Sequence, residues 1–149
     1  MAIKEGTLLW EPSTQMKEQA NLTTYMHWLA QEKGLHFTEN EALWAWSVEH
    51  LGDFWASLWD YFQIKASKPY TTVLTNPTMP GAQWFSGAEL NYAEHVFRNI
   101  TSERPALISQ SETRPLTELS WEDLARHVAS VAATLRALGV QRGDRVVNY

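Results

Sequence analysis

Tryptophan is the residue that most constrains how this chain folds. The 149-residue sequence contains eight tryptophans, and six of them precede residue 60. Aromatic side chains of this size gain most from extensive burial. The richest run has apolar residues at i, i+1, i+4, i+5 and i+8, namely Phe54, Trp55, Leu58, Trp59 and Phe62. This spacing predicts one broad apolar helix face, and hence a helical core built from tryptophan. Clustered tryptophans can also form a ligand platform or a protein interface.

The first 65 residues predict three helices. The first begins after a Ser13 cap, kinks near Asn21, runs to Lys33 and stops at Gly34. The residues expected on its buried face are Leu22, Tyr25, Met26, Leu29 and Ala30. Residues 38–41, Thr-Glu-Asn-Glu, predict a capping box for the second helix.

The second and third helices of this region follow the capping box. The second is expected to bury Leu43, Trp44 and Val48 and to break at Gly52. Asp53 then caps the third helix. Together these elements predict a helical, tryptophan-rich region over residues 1–65.

Residues 66–88 predict an extended or looped connection, because proline and glycine are concentrated there. A short helix is predicted over Leu90–Asn99, with Leu90, Ala93, Val96 and Phe97 inward. Residues 106–108 and 116–119 predict a β-hairpin. A Ser120-capped helix follows, ended by Gly139, and its apolar stripe is Leu124, Val128, Val131, Leu135 and Leu138.

The predicted fold class is mixed α/β. Residues 1–65 form the helical region, 66–88 the connection, and 89–149 the start of an α/β domain. Residues 145–149 predict a buried-type strand, and a strand of that kind needs neighbours on both sides. We therefore expect the α/β domain to be truncated.

Composition excludes several classes of protein. The 12 basic and 17 acidic residues give a net charge of −5, which disfavours nucleic-acid binding. No apolar run is long enough to cross a membrane, and residues 1–12 lack the apolar stretch of a secretory signal. Cysteine is absent, which excludes disulfides and thiolate ligands. We expect a cytoplasmic protein that binds neither nucleic acid nor membrane.

The residues alone form no catalytic or phosphate-binding motif. Gly81 and Gly87 are not followed by the Lys-Ser or Lys-Thr of a phosphate loop. The acid pairs Glu39/Glu41 and Glu122/Asp123 fit first helical turns, and 142–144, Arg-Gly-Asp, fits a turn. The histidines lack metal-ligand spacing: they are His27, His36, His50, His95 and His127. Catalytic, cofactor-binding and metal residues are therefore expected to be none.

Two stretches resemble a known family. The first contains 9–13 (LWEPS), 43–48 (LWAWSV) and 53–62 (DFWASLWDYF); the second contains 84–94 (WFSGAELNYAE), 119–124 (LSWEDL) and 138–147 (LGVQRGDRVV). Together they resemble the N-terminal region of the acetoacetyl-CoA synthetase branch of the adenylate-forming acyl-CoA synthetases. The second stretch is shared with acetyl- and propionyl-CoA synthetases, and the first favours the acetoacetate branch.

The resemblance implies a ligase that uses ATP, Mg²⁺ and CoA. In the full-length family the carboxylate, acetoacetate or a similar small acid, becomes an acyl-adenylate, and CoA then displaces AMP to give the thioester. The phosphate loop, the acyl and adenine motifs and the catalytic lysine lie downstream and match no position here. This chain alone is therefore expected to be an inactive N-terminal piece that carries no cofactor and whose partner is the remainder of the ligase large domain. The alternatives are an acetyl- or propionyl-CoA synthetase segment and a stand-alone helical interaction module.

Overall fold

The computed structural model describes residues 4–147, which separate into two compact units divided between Leu90 and Asn91. We call them unit 1 and unit 2. The predicted mixture of helix and strand is confirmed, and the strands form two antiparallel hairpins. In chain order the elements are α1 (Thr14–Glu18), α2 (Asn21–Trp28), a π-helical turn (Leu29–Lys33), α3 (Asn40–Glu49), α4 (Leu51–Tyr61), β1 (Thr72–Asn76), β2 (Gln83–Ser86), α5 (Tyr92–Phe97), β3 (Leu107–Ser111), β4 (Arg114–Leu119) and α6 (Trp121–Ala137).

The start and end of the first helical region are as predicted. The Ser13 side chain accepts a hydrogen bond from the Met16 backbone N–H at 3.3 Å. The predicted kink is a short break between α1 and Asn21. Gly34 ends the region at φ +67°, a left-handed conformation that glycine adopts without strain. Local signals in the sequence therefore set both boundaries.

The predicted capping box at Thr38 is wrong. Helix α3 begins only at Asn40, with Glu39 in the N-cap position and no side-chain hydrogen bond at that cap. The break predicted at Gly52 is also misplaced, because the backbone leaves the helical region at His50 and Gly52 lies inside α4. One glycine costs a helix about 1 kcal/mol, which is too little to end one that is packed along its length.

The core of unit 1 contains three fully buried hydrophobic residues, Tyr25, Leu29 and Leu43. The prediction that Trp44 and Val48 are buried is wrong, since their exposed fractions are 64% and 53%. The inward face of α3 instead passes through Leu43 and Trp46. Because successive helical residues are rotated by about 100°, Trp44 is carried away from that face.

Unit 1 contains seven tryptophans; Trp59 is half-buried on α4, and the other six divide into two groups. Trp28 and Trp46 are half-buried against the core, and the Trp46 ring lies 5.4 Å from that of Phe37 and 5.9 Å from that of Phe54. Four others are exposed, which contradicts a core built mainly from tryptophan: they are Trp10, Trp44, Trp55 and Trp84. Aliphatic side chains and a tyrosine fill the centre instead, with tryptophan at its edge.

A β-hairpin occupies most of the stretch predicted as an extended or looped connection, residues 66–88. Strands β1 and β2 pair antiparallel, with Thr72 opposite Ser86 and Leu74 opposite Trp84. The prolines and glycine at 77–81 fall in the turn, whereas the β1 residues are mainly β-branched and favour a strand. The Trp59 ring packs against the Tyr70 and Phe85 rings, with centroid distances of 5.0 and 4.8 Å, and so stabilises the position of α4 against β2 and the residues before β1.

In unit 2 the predicted hairpin and long helix are confirmed. Leu107 pairs with Leu119 and Ser109 with Thr117. The Ser120 hydroxyl accepts the Asp123 backbone N–H at 3.0 Å and caps α6. Helix α6 runs to Ala137, and Gly139 follows at φ +84°.

Two predictions for unit 2 need correction. Helix α5 is shorter than predicted, and Leu90 and Ala93, expected inward, are exposed, whereas Val96 and Phe97 are half-buried. Residues 145–147 do not form the predicted strand, because no described strand pairs with them. Residues 148–149 of that prediction lie outside the described part of the chain. Within residues 4–147, no helix combines the length and apolarity needed to cross a membrane.

The apolar stripe of α6 is largely uncovered. Val128, Val131 and Leu138 are 40%, 60% and 75% exposed, and no residue from 91 to 147 is fully buried. Contiguous apolar surface of this kind promotes association. We expect this chain in isolation to bind a hydrophobic dye or to self-associate, and Val131→Glu to reduce both effects. Dye fluorescence and sedimentation velocity measure them, and a monomer that binds no dye would contradict the expectation.

Candidate functional site

Unit 1 contains an apolar groove of about 560 Å³. Its lining comes from the start of α2, from α3 and from α4, namely Asn21, Leu22, Tyr25, Asn40, Leu43, Trp44, Ser47, Phe54, Leu58, Tyr61 and Phe62. We call it the aromatic groove. None of these side chains is a carboxylate, a histidine or a basic residue. The groove therefore suits uncharged, apolar groups.

A buried hydrogen bond joins Tyr25, which lines the aromatic groove, to Ser57. The Ser57 hydroxyl donates to the Phe54 carbonyl at 2.7 Å, so the Tyr25 hydroxyl donates to Ser57, with an O···O distance of 2.5 Å. Burial raises the pKa of Tyr25, against the opposing effect of the Ser57 hydrogen bond. The phenol is therefore neutral near pH 7, and the pair ties α2 to α4 rather than supplying a reactive group.

A second tie joins the π-helical turn to α4. The Lys33 ammonium lies 2.6 Å from the Asp60 carboxylate and 5.7 Å from the centroid of the Trp28 ring. Both partners of the ion pair are more than a third exposed, so its stabilising effect is small. These contacts orient the helices around the aromatic groove.

The acidic residues singled out in the sequence lie at helix starts. Asp123 accepts a hydrogen bond from the Ser120 hydroxyl at 2.7 Å, and this bond, followed by the charge of Arg126, lowers its pKa. Glu39 and Glu41 lie at the N-cap and in the first turn of α3. Such residues complement the helix dipole.

None of the remaining candidate motifs lines the aromatic groove. Gln141 donates its backbone N–H to the Asp144 carboxylate at 2.8 Å, which makes the Arg-Gly-Asp sequence a local turn. None of the five histidines lines the groove. In the described part of the chain, no three His, Asp or Glu side chains converge as metal ligands.

The aromatic groove was not predicted from the sequence. Its rim residues Leu22, Trp44 and Phe62 were assigned to buried faces, and each is at least 42% exposed. The polar lining residues Asn21, Asn40 and Ser47 are the sequence signal that these positions lie at a surface. Such a signal is too weak to separate a groove from a core.

Comparison with solved structures decides the relationship. The fold superimposes on an acetoacetyl-CoA synthetase from Streptomyces lividans with a TM-score of 0.85 and 45% identity, covering 93% of this chain and 22% of that one. The chain matches the N-terminal region of acetoacetyl-CoA synthetases. A family described as the acetyl-coenzyme A synthetase N-terminus also matches residues 40–96, from α3 into α5.

Curated relatives agree with this assignment. The acetoacetyl-CoA synthetase of Gallus gallus is 34% identical over 99% of this chain. A malonamoyl-CoA synthetase from Penicillium aethiopicum is 30% identical over 95% of it. The chain spans only about a fifth of the length of these relatives, 22% and 20%. The resemblance to the acetoacetyl-CoA synthetase N-terminal region, inferred from the residues above, is thereby confirmed.

Proposed function

We propose that this chain is the N-terminal structural segment of an acid–thiol ligase that converts acetoacetate, ATP and CoA into acetoacetyl-CoA, AMP and diphosphate. The observation that carries the proposal is the 45% identity to the Streptomyces lividans acetoacetyl-CoA synthetase across nearly all of the described fold. The cytoplasm is the compartment proposed for this activity. Activated acetoacetate of this kind serves lipid synthesis or related uses of ketone bodies.

The lining of the aromatic groove does not fit ATP, Mg²⁺ or CoA. The aromatic groove contains no charged side chain, and residues 4–147 bring together no carboxylate or histidine cluster for a metal. Phosphoryl chemistry needs positive groups and Mg²⁺ around the triphosphate. The role proposed for this segment is therefore to fold, to cover apolar surface and to hold the rest of the ligase in place.

The partner proposed for the segment is the rest of the ligase chain. The exposed apolar residues of α6 and of the β3–β4 hairpin support this, since such surfaces mark interaction sites. An acetyl- or propionyl-CoA synthetase would use its N-terminal segment in the same way. The similarity to a malonamoyl-CoA synthetase means that several small carboxylates belong in any assay.

A chimera tests the proposal. The matching N-terminal segment of the Streptomyces lividans enzyme is replaced by this chain, and the same enzyme without the segment serves as the control. Acetoacetate-dependent exchange of labelled diphosphate into ATP measures adenylation. We expect exchange by the chimera, at least tenfold less by the shortened enzyme, and none by this chain alone.

Two results would contradict the proposal in different ways. Exchange by this chain alone would place a catalytic site among the residues described here as structural. A folded chimera that activates none of acetoacetate, acetate, propionate and malonamate would remove the ligase assignment. In that case the exposed aromatic residues of unit 1 would favour an interaction module.

A further inference from the structure

The large apolar residues of α6 follow a seven-residue repeat. They occur at positions 121, 124, 128, 131, 135 and 138, so that spacings of three and four residues alternate. This average of 3.5 residues is the pattern by which two helices pack side by side along a shared seam. A helix that covers a sheet or a mixed core usually presents a wider apolar face. The repeat therefore indicates that the partner of this face is another helix.

The second part of the repeat is open to solvent. Its first two positions are half-buried within unit 2, and so is Leu135. Val128, Val131 and Leu138 are exposed, as described above. From Val128 to Leu138 the helix rises about 15 Å, at 1.5 Å per residue. We call these four residues, Val128, Val131, Leu135 and Leu138, the α6 seam.

A depression of about 340 Å³ lies on the α6 seam. Its lining comes from α6 alone, namely His127, Val128, Val131, Ala132 and Leu135. In paired helices, each apolar side chain of one helix enters a space between four residues of the facing helix. The depression is a space of this kind, and the small side chain of Ala132 beside it lets a second helix approach closely.

The charges at the two ends of α6 favour an antiparallel partner of the same sequence. Glu122 and Asp123 lie in the first turn, whereas Arg136 lies in the last turn and Arg142 follows the helix. Arg126 offsets part of the acidic charge through ion pairs with both acids. In an antiparallel pair the acidic end of each copy meets the basic end of the other, and the helix dipoles oppose each other. A parallel pair would bring like charges together.

We propose that the α6 seam of this chain pairs antiparallel with the α6 seam of a second copy. A two-fold axis relates the copies, so the same surface supplies both the entering side chains and the spaces that accept them. Two helices of this length bury on the order of 800 Å², the low end for specific interfaces, so the dimer is weak and depends on concentration. The inference does not rest on the proposed function, because it requires α6 and no catalytic step.

Sedimentation equilibrium of the 149-residue chain tests the pairing. Over about 5 to 500 µM protein, a range that brackets micromolar affinities, we expect the mass to rise toward that of a dimer and no further. Val131→Glu places a carboxylate from each copy in the apolar contact and should weaken association at least about tenfold. Val131→Leu keeps the repeat and should retain the dimer. Leu9→Glu is the matched control, because it adds the same charge at an apolar position that is 74% exposed in unit 1.

Cross-linking measures the orientation of the two helices. The chain has no cysteine, so an introduced cysteine is the only thiol. His127→Cys and Leu138→Cys mark the two ends of the α6 seam. In an equal mixture of the two variants, a short bismaleimide should join unlike copies more often than like copies, because opposite ends meet in an antiparallel pair. Labelling one variant with ¹⁵N lets mass spectrometry distinguish the products.

Three results would overturn the inference. The first is a chain that binds a hydrophobic dye yet stays monomeric at every concentration, which would leave the α6 seam to another partner such as the remaining ligase chain. The second is association that Leu9→Glu weakens as much as Val131→Glu does, since the contact would then lie elsewhere. The third is preferential cross-linking of like ends, which would indicate a parallel pair.

Discussion

Leu29→Ala is expected to lower the free energy of unfolding by about 2–5 kcal/mol, the usual cost of truncating a fully buried leucine. Leu29 is 0% exposed and lies in the π-helical turn, between Tyr25 and the end of the first helical region. Alanine there leaves a cavity that the surrounding aromatic rings can fill only in part. Whole-domain stability is about 5–15 kcal/mol, so the urea midpoint of Leu29→Ala should lie well below that of the unsubstituted chain.

Urea unfolding followed by far-ultraviolet circular dichroism measures this effect. The matched control is Leu9→Ala, because Leu9 is 74% exposed and its truncation should change the free energy by no more than about 0.5 kcal/mol. Equal midpoints for the two variants would show that the helices of unit 1 do not pack around Leu29.

Trp59→Ala is expected to cost about 3 kcal/mol, the lower end of the range for a buried tryptophan, because part of this side chain is exposed. Its ring packs against Tyr70, just before the hairpin, and against Phe85 of β2, beside a second ring contact between Trp55 and Trp84. We expect the β1–β2 hairpin to lose protection more than α2 does. Hydrogen exchange resolved by segment, together with urea unfolding, measures both effects.

Trp44→Ala is the control for Trp59→Ala. It removes the same number of atoms from a position that is 64% exposed, so its cost should be near zero in this chain alone. If both variants lost the same stability, the assignment of Trp59 as packed and Trp44 as exposed would be wrong. If neither did, the hairpin would be held by its own hydrogen bonds.

The elements predicted well from the sequence are those fixed by local chemistry. Ser13 and Ser120 were identified as caps because a hydroxyl directly before an apolar periodic run satisfies a free backbone N–H. Gly34 and Gly139 are predicted helix ends because glycine after the last periodic residue favours the left-handed C′ position, and both have positive φ in the structure. The β3–β4 hairpin also follows from short apolar runs around a polar turn.

The errors lie where packing between distant segments decides. Periodicity alone does not say whether Leu43 or Trp44 faces the core, because adjacent positions are both apolar. Contacts of Trp46 with Phe37 and Phe54 settle it, and those two residues lie outside α3, one before it and one in α4. The aromatic groove could not be predicted from the sequence for the same reason, because it forms only when α2, α3 and α4 pack together.

The absence of any fully buried side chain between residues 91 and 147 affects how the chain opens. Amide protection follows the free energy of the local opening that exposes each N–H, and few buried contacts mean small opening energies. Amides of α6 should therefore exchange within a short labelling time although the helix is well formed. Those around Tyr25 and Leu29 should retain their protons longest, so the protease-sensitive end of the described chain is the one that follows Leu90.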